Sequence, residues 1–162
     1  MDIEEQRKAL QSQLDANNIN SVSFLATDFL NHYNEVFMML EMVPDMPEII
    51  EDLGEWQPKT YIQHFQDSSL AEKDVAIEAY ELCPDHFKLP FDLLTTRLDQ
   101  LIVTTINEAK TAYNDKDETL LNHISSDGLL QMKRLWSGLN AIIHSENTTE
   151  DQTSIDELLE KF

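Results

Sequence analysis

The chain has 162 residues, of which 41% are hydrophobic, and a formal net charge of −20 at neutral pH. This length fits one domain with or without tails, and the apolar content is enough for a core. The charge argues against nucleic acid and anionic membranes as partners, because both are bound mainly through Lys and Arg. It favours solubility and a partner with a basic surface.

The sequence predicts neither a signal peptide nor a membrane span. Its single cysteine, Cys83, rules out an internal disulfide framework and a cysteine-based metal cluster. Residues 1–5 are acidic and lack the basic start and apolar stretch of a signal peptide. The apolar-rich run 36–43 is interrupted by Glu41 and is too short to span a bilayer. We therefore expect a cytoplasmic protein.

The sequence predicts helices almost throughout. Three glycines and five prolines are too few for a many-turned β fold. Apolar residues instead recur at helical spacing. An aromatic-rich connector is predicted over 55–69, and a loop runs from 83 through Pro90, because proline interrupts helical hydrogen bonding. In chain order, helices are predicted over about 3–16, 21–42, 47–53, 69–82, 91–113 and 118–144.

The two longest predicted helices, 91–113 and 118–144, are joined by a short polar turn. Such a pair packs as an antiparallel hairpin, and two hairpins, from one chain or from a homodimer, make a four-helix bundle. The predicted fold class is all-α, a helical bundle with this long hairpin and a flexible acidic C-terminal tail. The predicted units are a helical domain at 1–146 with the hairpin at 91–144, a linker at 147–153 and a recognition helix at 154–162.

The recognition helix has an amphipathic pattern. Ser154 can cap its first turn, and Glu157 can reach back in a capping box. So short a helix is marginal in water, and we therefore expect it to dock on its own body or on a partner. Its apolar residues recur at i, i+3, i+4 and i+7, which is one helix face: Ile155, Leu158, Leu159 and Phe162.

Three other groups of side chains have two interpretations each. His32 and Glu35 could offer two metal ligands from one helix, although a polar surface pair is the commoner reason for this spacing. We therefore predict no metal site. The polar stretch 31–35 is either a buried hydrogen-bonded network or one side of a binding cleft. The methionines fit an adaptable binding surface or core filling: Met38, Met39, Met42 and Met46.

Asp127 and Gln131 lie one helical turn apart and share a face. A carboxamide on a rigid helix can orient an attacking water, as a glutamine does in phosphate hydrolysis. A neighbouring carboxylate can hold a lysine of a partner. The same spacing is also common among solvated polar residues, so this pair has a catalytic and a structural interpretation.

The tail resembles two peptides of bacterial chemotaxis. One is the C-terminal helix of the CheZ phosphatase family, with an Asp-Gln pair, an Ile-Asp-x-Leu-Leu core and a terminal Phe. The other is the N-terminal Ser-Gln-x-x-Ile-Asp-x-Leu-Leu peptide of the flagellar switch protein FliM. In both families the peptide binds the response regulator CheY. The residues that match the CheZ peptide are Asp151, Gln152, Ile155, Asp156, Leu158, Leu159 and Phe162.

The order Asp127-x-x-x-Gln131, followed by Lys133 and Arg134, is similar to the catalytic element of the CheZ family. The family's surrounding Phe-Gln-Asp-x-Thr-Gly-Gln sequence is not present there, and 21–90 resembles no family. The resemblance to the binding peptide is therefore the stronger of the two.

The resemblance implies a protein of chemotaxis or flagellar signalling that binds a CheY-like receiver. The four apolar tail residues would fill a groove on the receiver, and Asp156 and Glu157 would meet its lysines. The resemblance also implies a phosphatase in which Gln131 positions water and Asp127 holds a lysine. No cofactor is expected, since Mg²⁺ would belong to the receiver.

Two alternatives stay open. The first is a non-enzymatic helical adaptor or structural protein whose tail packs on its own body or on another protein. The second is a bundle that binds a metal or a small ligand around His32 and Glu35.

Overall fold

The computed structural model describes residues 2–144, of which 75% are helical and none lies in a strand. This confirms the all-α class. Two short 3₁₀ helices, Asp15–Asn17 and Thr27–Leu30, accompany the α-helices. No helix in this part of the chain is both long and apolar enough to cross a membrane. The seven α-helices are α1 Ile3–Leu14, α2 Asn31–Met42, α3 Ile49–Leu53, α4 Tyr61–Gln66, α5 Lys73–Glu81, α6 Asp85–Asn114 and α7 Glu118–Ile143.

The two long helices, α6 and α7, form the most extensive helix–helix interface of the described residues. Lys116 in the turn between them has a left-handed backbone with φ 58°. Asp117 caps α7, since its side chain accepts a hydrogen bond from the Leu120 N–H at 3.1 Å. The interface is tight because Gly128 has no side chain. A Cβ at Gly128 would lie 2.7 Å from Thr105 Cγ2.

The short helices pack on this pair and on one another. Helix α2 packs against α7, α3 packs against α6, and α4 packs against α5. The core lies where these short helices meet the long pair, and its largest fully buried side chains include Tyr33, Phe29 and Phe91. The Ser23 hydroxyl also donates to the Ile143 carbonyl at 2.6 Å, which ties an early loop to the end of α7.

The predicted helix 21–42 is wrong in its first third. Residues 21–26 form a turn and an extended segment, and α2 begins only at Asn31. The Asn20 side chain accepts hydrogen bonds from the N–H groups of Val22 and Ser23, both at 2.9 Å. Phe24 then has a left-handed φ of 65°. This local bonding competes with helix formation.

The loop predicted through Pro90 is also wrong, because α6 begins at Asp85 and includes Pro90. Proline removes one hydrogen bond from a helix interior and crowds the preceding turn. The apolar stripe of α6 spans this position and is buried on both sides of it, at Phe87 and Phe91. Packing of that stripe offsets the missing bond.

The connector predicted over 55–69 contains a helix, α4, that aromatic content alone did not reveal. Thr60 and Gln63 form a capping box, in which the Gln63 N–H donates to Thr60 Oγ1 at 3.1 Å and the Thr60 N–H donates to Gln63 Oε1 at 3.0 Å. Tyr61 and Phe65 anchor the helix because both are buried.

Candidate functional site

The predicted catalytic pair lies on the surface of α7. The Gln131 Nε2 donates to Asp127 Oδ2 at 2.7 Å, so the two side chains do share a helix face. Asp127 is exposed and Gln131 is half-buried. Neither residue lines the cavities of about 330, 380 and 200 Å³ that lie elsewhere among the described residues. A reaction at this pair would therefore need a partner protein to complete the site.

Gly128, which lies within the Asp127–Gln131 turn, faces the other way and is buried against Thr105 of α6. The close approach at this glycine holds α6 directly behind the pair. The position of the two polar side chains is therefore set by the rigid helix pair.

The basic residues that follow the pair have different surroundings. Lys133 Nζ lies 2.8 Å from Glu41 Oε1, so this lysine links α7 to α2. Both side chains are about half exposed, and such a pair contributes little to stability, roughly 0–1 kcal/mol. Arg134 is exposed. Of the two basic residues, Lys133 is thus already paired with a carboxylate of its own chain.

The predicted partner-binding residues Ile155, Asp156, Glu157, Leu158, Leu159 and Phe162 lie outside the described residues, as does Ser154. Their amphipathic pattern stays a prediction from the sequence.

The polar stretch 31–35 belongs in part to a buried network. Tyr33 is fully buried, and its hydroxyl donates to Asp99 Oδ1 of α6 at 2.8 Å. Burial raises the pKa of Asp99 to about 6, against the opposing effect of the Tyr33 hydrogen bond. Burial, and next the neighbouring Asp99 carboxylate, raises the pKa of Tyr33. Tyr33 is therefore a neutral donor at physiological pH.

His32 has a structural environment and not that of a metal ligand. Its ring stacks on Trp56 with centroids 4.9 Å apart, and its Nε2 accepts a hydrogen bond from the Lys59 N–H at 3.2 Å. Burial, with contributions from His64 and Lys59, lowers the pKa of His32 to about 4. Glu35 is exposed. Among residues 2–144 there is no group of three or more His, Cys, Asp or Glu side chains that could hold a metal ion.

A second candidate site, which the sequence did not indicate, is a cleft beside α6. It has a volume of about 380 Å³ and includes Asp92, Asp99 and the aromatic rings of Tyr61, Tyr80 and Phe91 among its lining residues. The Tyr80 hydroxyl donates to Asp92 Oδ1 at 2.7 Å, and burial raises the pKa of Asp92. The one feature of the sequence that relates to this cleft is the spacing of Asp92 and Asp99, which lie two turns apart on one helix.

Comparison with protein-family models, curated proteins and solved structures gave no match to this chain. A functional proposal therefore depends on the chain's own residues and on the resemblance of its short motifs.

Proposed function

We propose that the protein binds a CheY-like receiver through residues 154–162. The observation that carries this proposal is the joint match of the Asp151-Gln152 pair, the Ile-Asp-x-Leu-Leu core and the terminal Phe162. Ile155, Leu158 and Leu159 would enter an apolar groove in the helix-in-groove mode. The chain's charge of −20 would speed encounter with a basic face of the receiver. The interaction would belong to cytoplasmic chemotaxis or flagellar signalling.

The proposal extends to the body of the protein. We propose that α6 and α7 form an antiparallel helical hairpin, supported by Thr105 and Gly128, which touch at matching distances from the turn. Pairing with a second copy would make a four-helix bundle. Apolar side chains on the outer side of α6 support such pairing, since Leu89 and Leu93 are 66% and 43% exposed.

We further propose that Gln131 promotes dephosphorylation of the bound receiver. Its hydrogen bond to Asp127 fixes the plane of the amide, so Oε1 could accept a hydrogen bond from an attacking water and orient it. The water oxygen would form a bond to phosphorus while the bond to the receiver's aspartate oxygen breaks. The aspartate would leave as a carboxylate, and the phosphate would carry away the water's protons. Asp127 would hold a lysine of the receiver.

The first test concerns the tail. Truncation after residue 146 should weaken binding of the full-length protein to a phosphorylated CheY-like receiver by roughly tenfold or more, because the apolar anchors are lost. Leu158→Ala with Leu159→Ala should act in the same direction. Thr148→Ala with Thr149→Ala, in the predicted linker, is the matched control. Titration calorimetry measures both, and unchanged affinity after truncation would contradict the proposal.

The second test concerns catalysis. Gln131→Ala should slow phosphate release from the receiver by roughly a hundredfold, because the attacking water loses the group that orients it. Gln100→Ala, an exposed glutamine on α6, is the control. A rate that is the same in Gln131→Ala and in the unmodified protein would remove Gln131 from the mechanism while leaving the binding proposal intact.

One observation favours the non-enzymatic adaptor. Asp127 is exposed on α7 and Gln131 is half-buried beside it, and neither lines the cavities of about 330, 380 and 200 Å³. In that alternative the tail packs on the body or binds another protein. Hydrogen exchange distinguishes a tail packed on the body from a tail that is available to a receiver. Protected amides over 155–162 in the isolated protein would mean that the tail is already docked.

A further inference from the structure

Three methionines project from one side of α2 and the turn that follows it. Met38, Met42 and Met46 are 63%, 40% and 40% exposed. They recur at i, i+4 and i+8, and the Met46 N–H donates to the Met42 carbonyl at 2.8 Å, so the helical spacing continues past the end of α2. The structure thus decides against core filling for these three, whereas Met39 packs against the core.

We call Met38, Met42 and Met46 the methionine patch. Glu41 lies between Met38 and Met42 in the sequence, and its Oε1 is 2.8 Å from Lys133 Nζ of α7.

The methionine patch has the properties of a binding surface. Single exposed apolar residues are ordinary, but a row of large ones on one helix face is typical of an interaction site. The unbranched, polarisable methionine side chain adapts to different apolar partners. The core beneath does not need these side chains, because Val36, Phe37 and Leu40 of the same helix are buried.

The rim of the patch is acidic. Glu35, Glu41, Asp45 and Glu48 are all exposed on α2 and the turn after it. Two lysines lie near this part of the surface: Lys133 is paired with Glu41, and Lys116 lines a cavity that also includes Pro47. The four carboxylates outnumber them. A partner with lysines or arginines beside its apolar residues would meet these carboxylates, and an acidic partner would be repelled.

The chain's own C-terminal segment is a poor occupant for this reason. Residues 145–162 contain six acidic residues and one lysine, a difference of −5. Docking that segment would bring like charges together at the acidic rim, which opposes binding. The occupant that fits both the apolar centre and the rim is a basic amphipathic helix.

We propose that the methionine patch docks a basic amphipathic helix of another protein. The apolar face of that helix covers the patch, and its lysines or arginines reach Glu35, Asp45 and Glu48. This site is separate from the C-terminal recognition segment, so it does not depend on the function proposed above.

The test uses the full-length protein with ¹³C-labelled methionine methyl groups. The probe is a synthetic leucine–lysine peptide whose leucines recur at helical spacing. Its addition should shift the methyl signals of Met38, Met42 and Met46. Met132, which is fully buried, is the internal control. A peptide of the same composition, ordered so that it has no apolar face, should leave the three signals in place.

Two variants check that the apolar surface carries the binding. Met38→Gln with Met42→Gln removes apolar area without changing the charge, and should weaken peptide binding by roughly tenfold. Ile3→Gln on α1, which replaces another exposed apolar residue, should leave affinity unchanged. Equal binding of the reordered peptide, equal loss in Ile3→Gln, or unshifted Met38 and Met42 signals would each overturn the proposal.

Discussion

Two polar pairs on the helices have similar hydrogen bonds and different surroundings. Gln131 bonds Asp127 at 2.7 Å within α7, at the surface, whereas the buried Tyr33 bonds the half-buried Asp99 at 2.8 Å between α2 and α6. A bond at the surface can be exchanged for one to water, but a partly buried carboxylate that loses its donor is harder to satisfy. The pair on α7 can therefore be broken at little cost, whereas the Tyr33–Asp99 pair links two helices.

Replacement of Tyr33 by Phe should have the largest effect on stability. The variant keeps the ring and leaves the half-buried Asp99 carboxylate without its donor, which should lower the free energy of unfolding by roughly 1–3 kcal/mol. Gln131→Ala should change it by no more than about 0.5 kcal/mol, as is usual at a surface site. Urea unfolding followed by circular dichroism measures both. Equal losses would show that the two pairs do not differ as described.

Replacement of Gly128 by Ala should have the next largest effect. Alanine favours the helix by about 1 kcal/mol over glycine, but its Cβ would lie 2.7 Å from Thr105 Cγ2. Overpacking of this kind costs roughly 1–3 kcal/mol, so we expect a net loss of about 1 kcal/mol. Ser126→Ala, at an exposed position nearby, should be neutral or slightly stabilising. Thermal unfolding compares them, and a more stable Gly128→Ala protein would mean that α6 can shift at this point.

Replacement of Asp99 by Asn should change the pH dependence of stability more than it changes the stability itself. The folded-state pKa of Asp99, about 6, lies above its ordinary value of 3.8. Between these values the folded protein binds more protons than the unfolded chain, so this group makes stability fall as the pH rises from about 4 to 6. The asparagine of the Asp99→Asn variant can still accept from the Tyr33 hydroxyl and does not titrate, so that contribution should vanish.

His32 provides the opposite trend in nearly the same range. Its folded-state pKa, about 4, lies below the ordinary 6.5, so the unfolded chain binds more protons and stability falls as the pH drops from about 6.5 to 4. Thermal unfolding between pH 4 and 7 should therefore show a steeper rise with pH in Asp99→Asn than in the unmodified protein. Identical curves would mean that Asp99 does not titrate in this range.

Much of the fold follows from local pattern. The long helices were predictable because their apolar residues recur at helical spacing. The structure places the end of α6 and the start of α7 within a residue of the predicted turn at 114–117. The errors arose where a local signal was outweighed or overlooked. Pro90 predicted a loop, but the buried stripe around it kept the helix. The Thr60-x-x-Gln63 capping box was visible in the sequence and predicts the start of α4.

One candidate site could be predicted from the sequence, and the other could not. The shared face of Asp127 and Gln131 follows from their spacing of four on a helix, and the hydrogen bond between their side chains agrees with it. The cleft at Asp92 and Asp99 could not be predicted, because its walls come from segments far apart in the chain that meet only when α4 and α5 pack beside α6. Spacing along one helix cannot supply the residues of another.

The sequence by itself determined the helical class, the charge of −20, the polar pair on α7 and the amphipathic pattern of the tail. Each of these depends on composition or on neighbours within one or two helical turns. The tertiary structure decided that Tyr33 and Asp99 are partners, that His32 is held by Trp56 and Lys59, and that three methionines face outward. Periodicity shows which residues share a face, and only packing determines what that face meets.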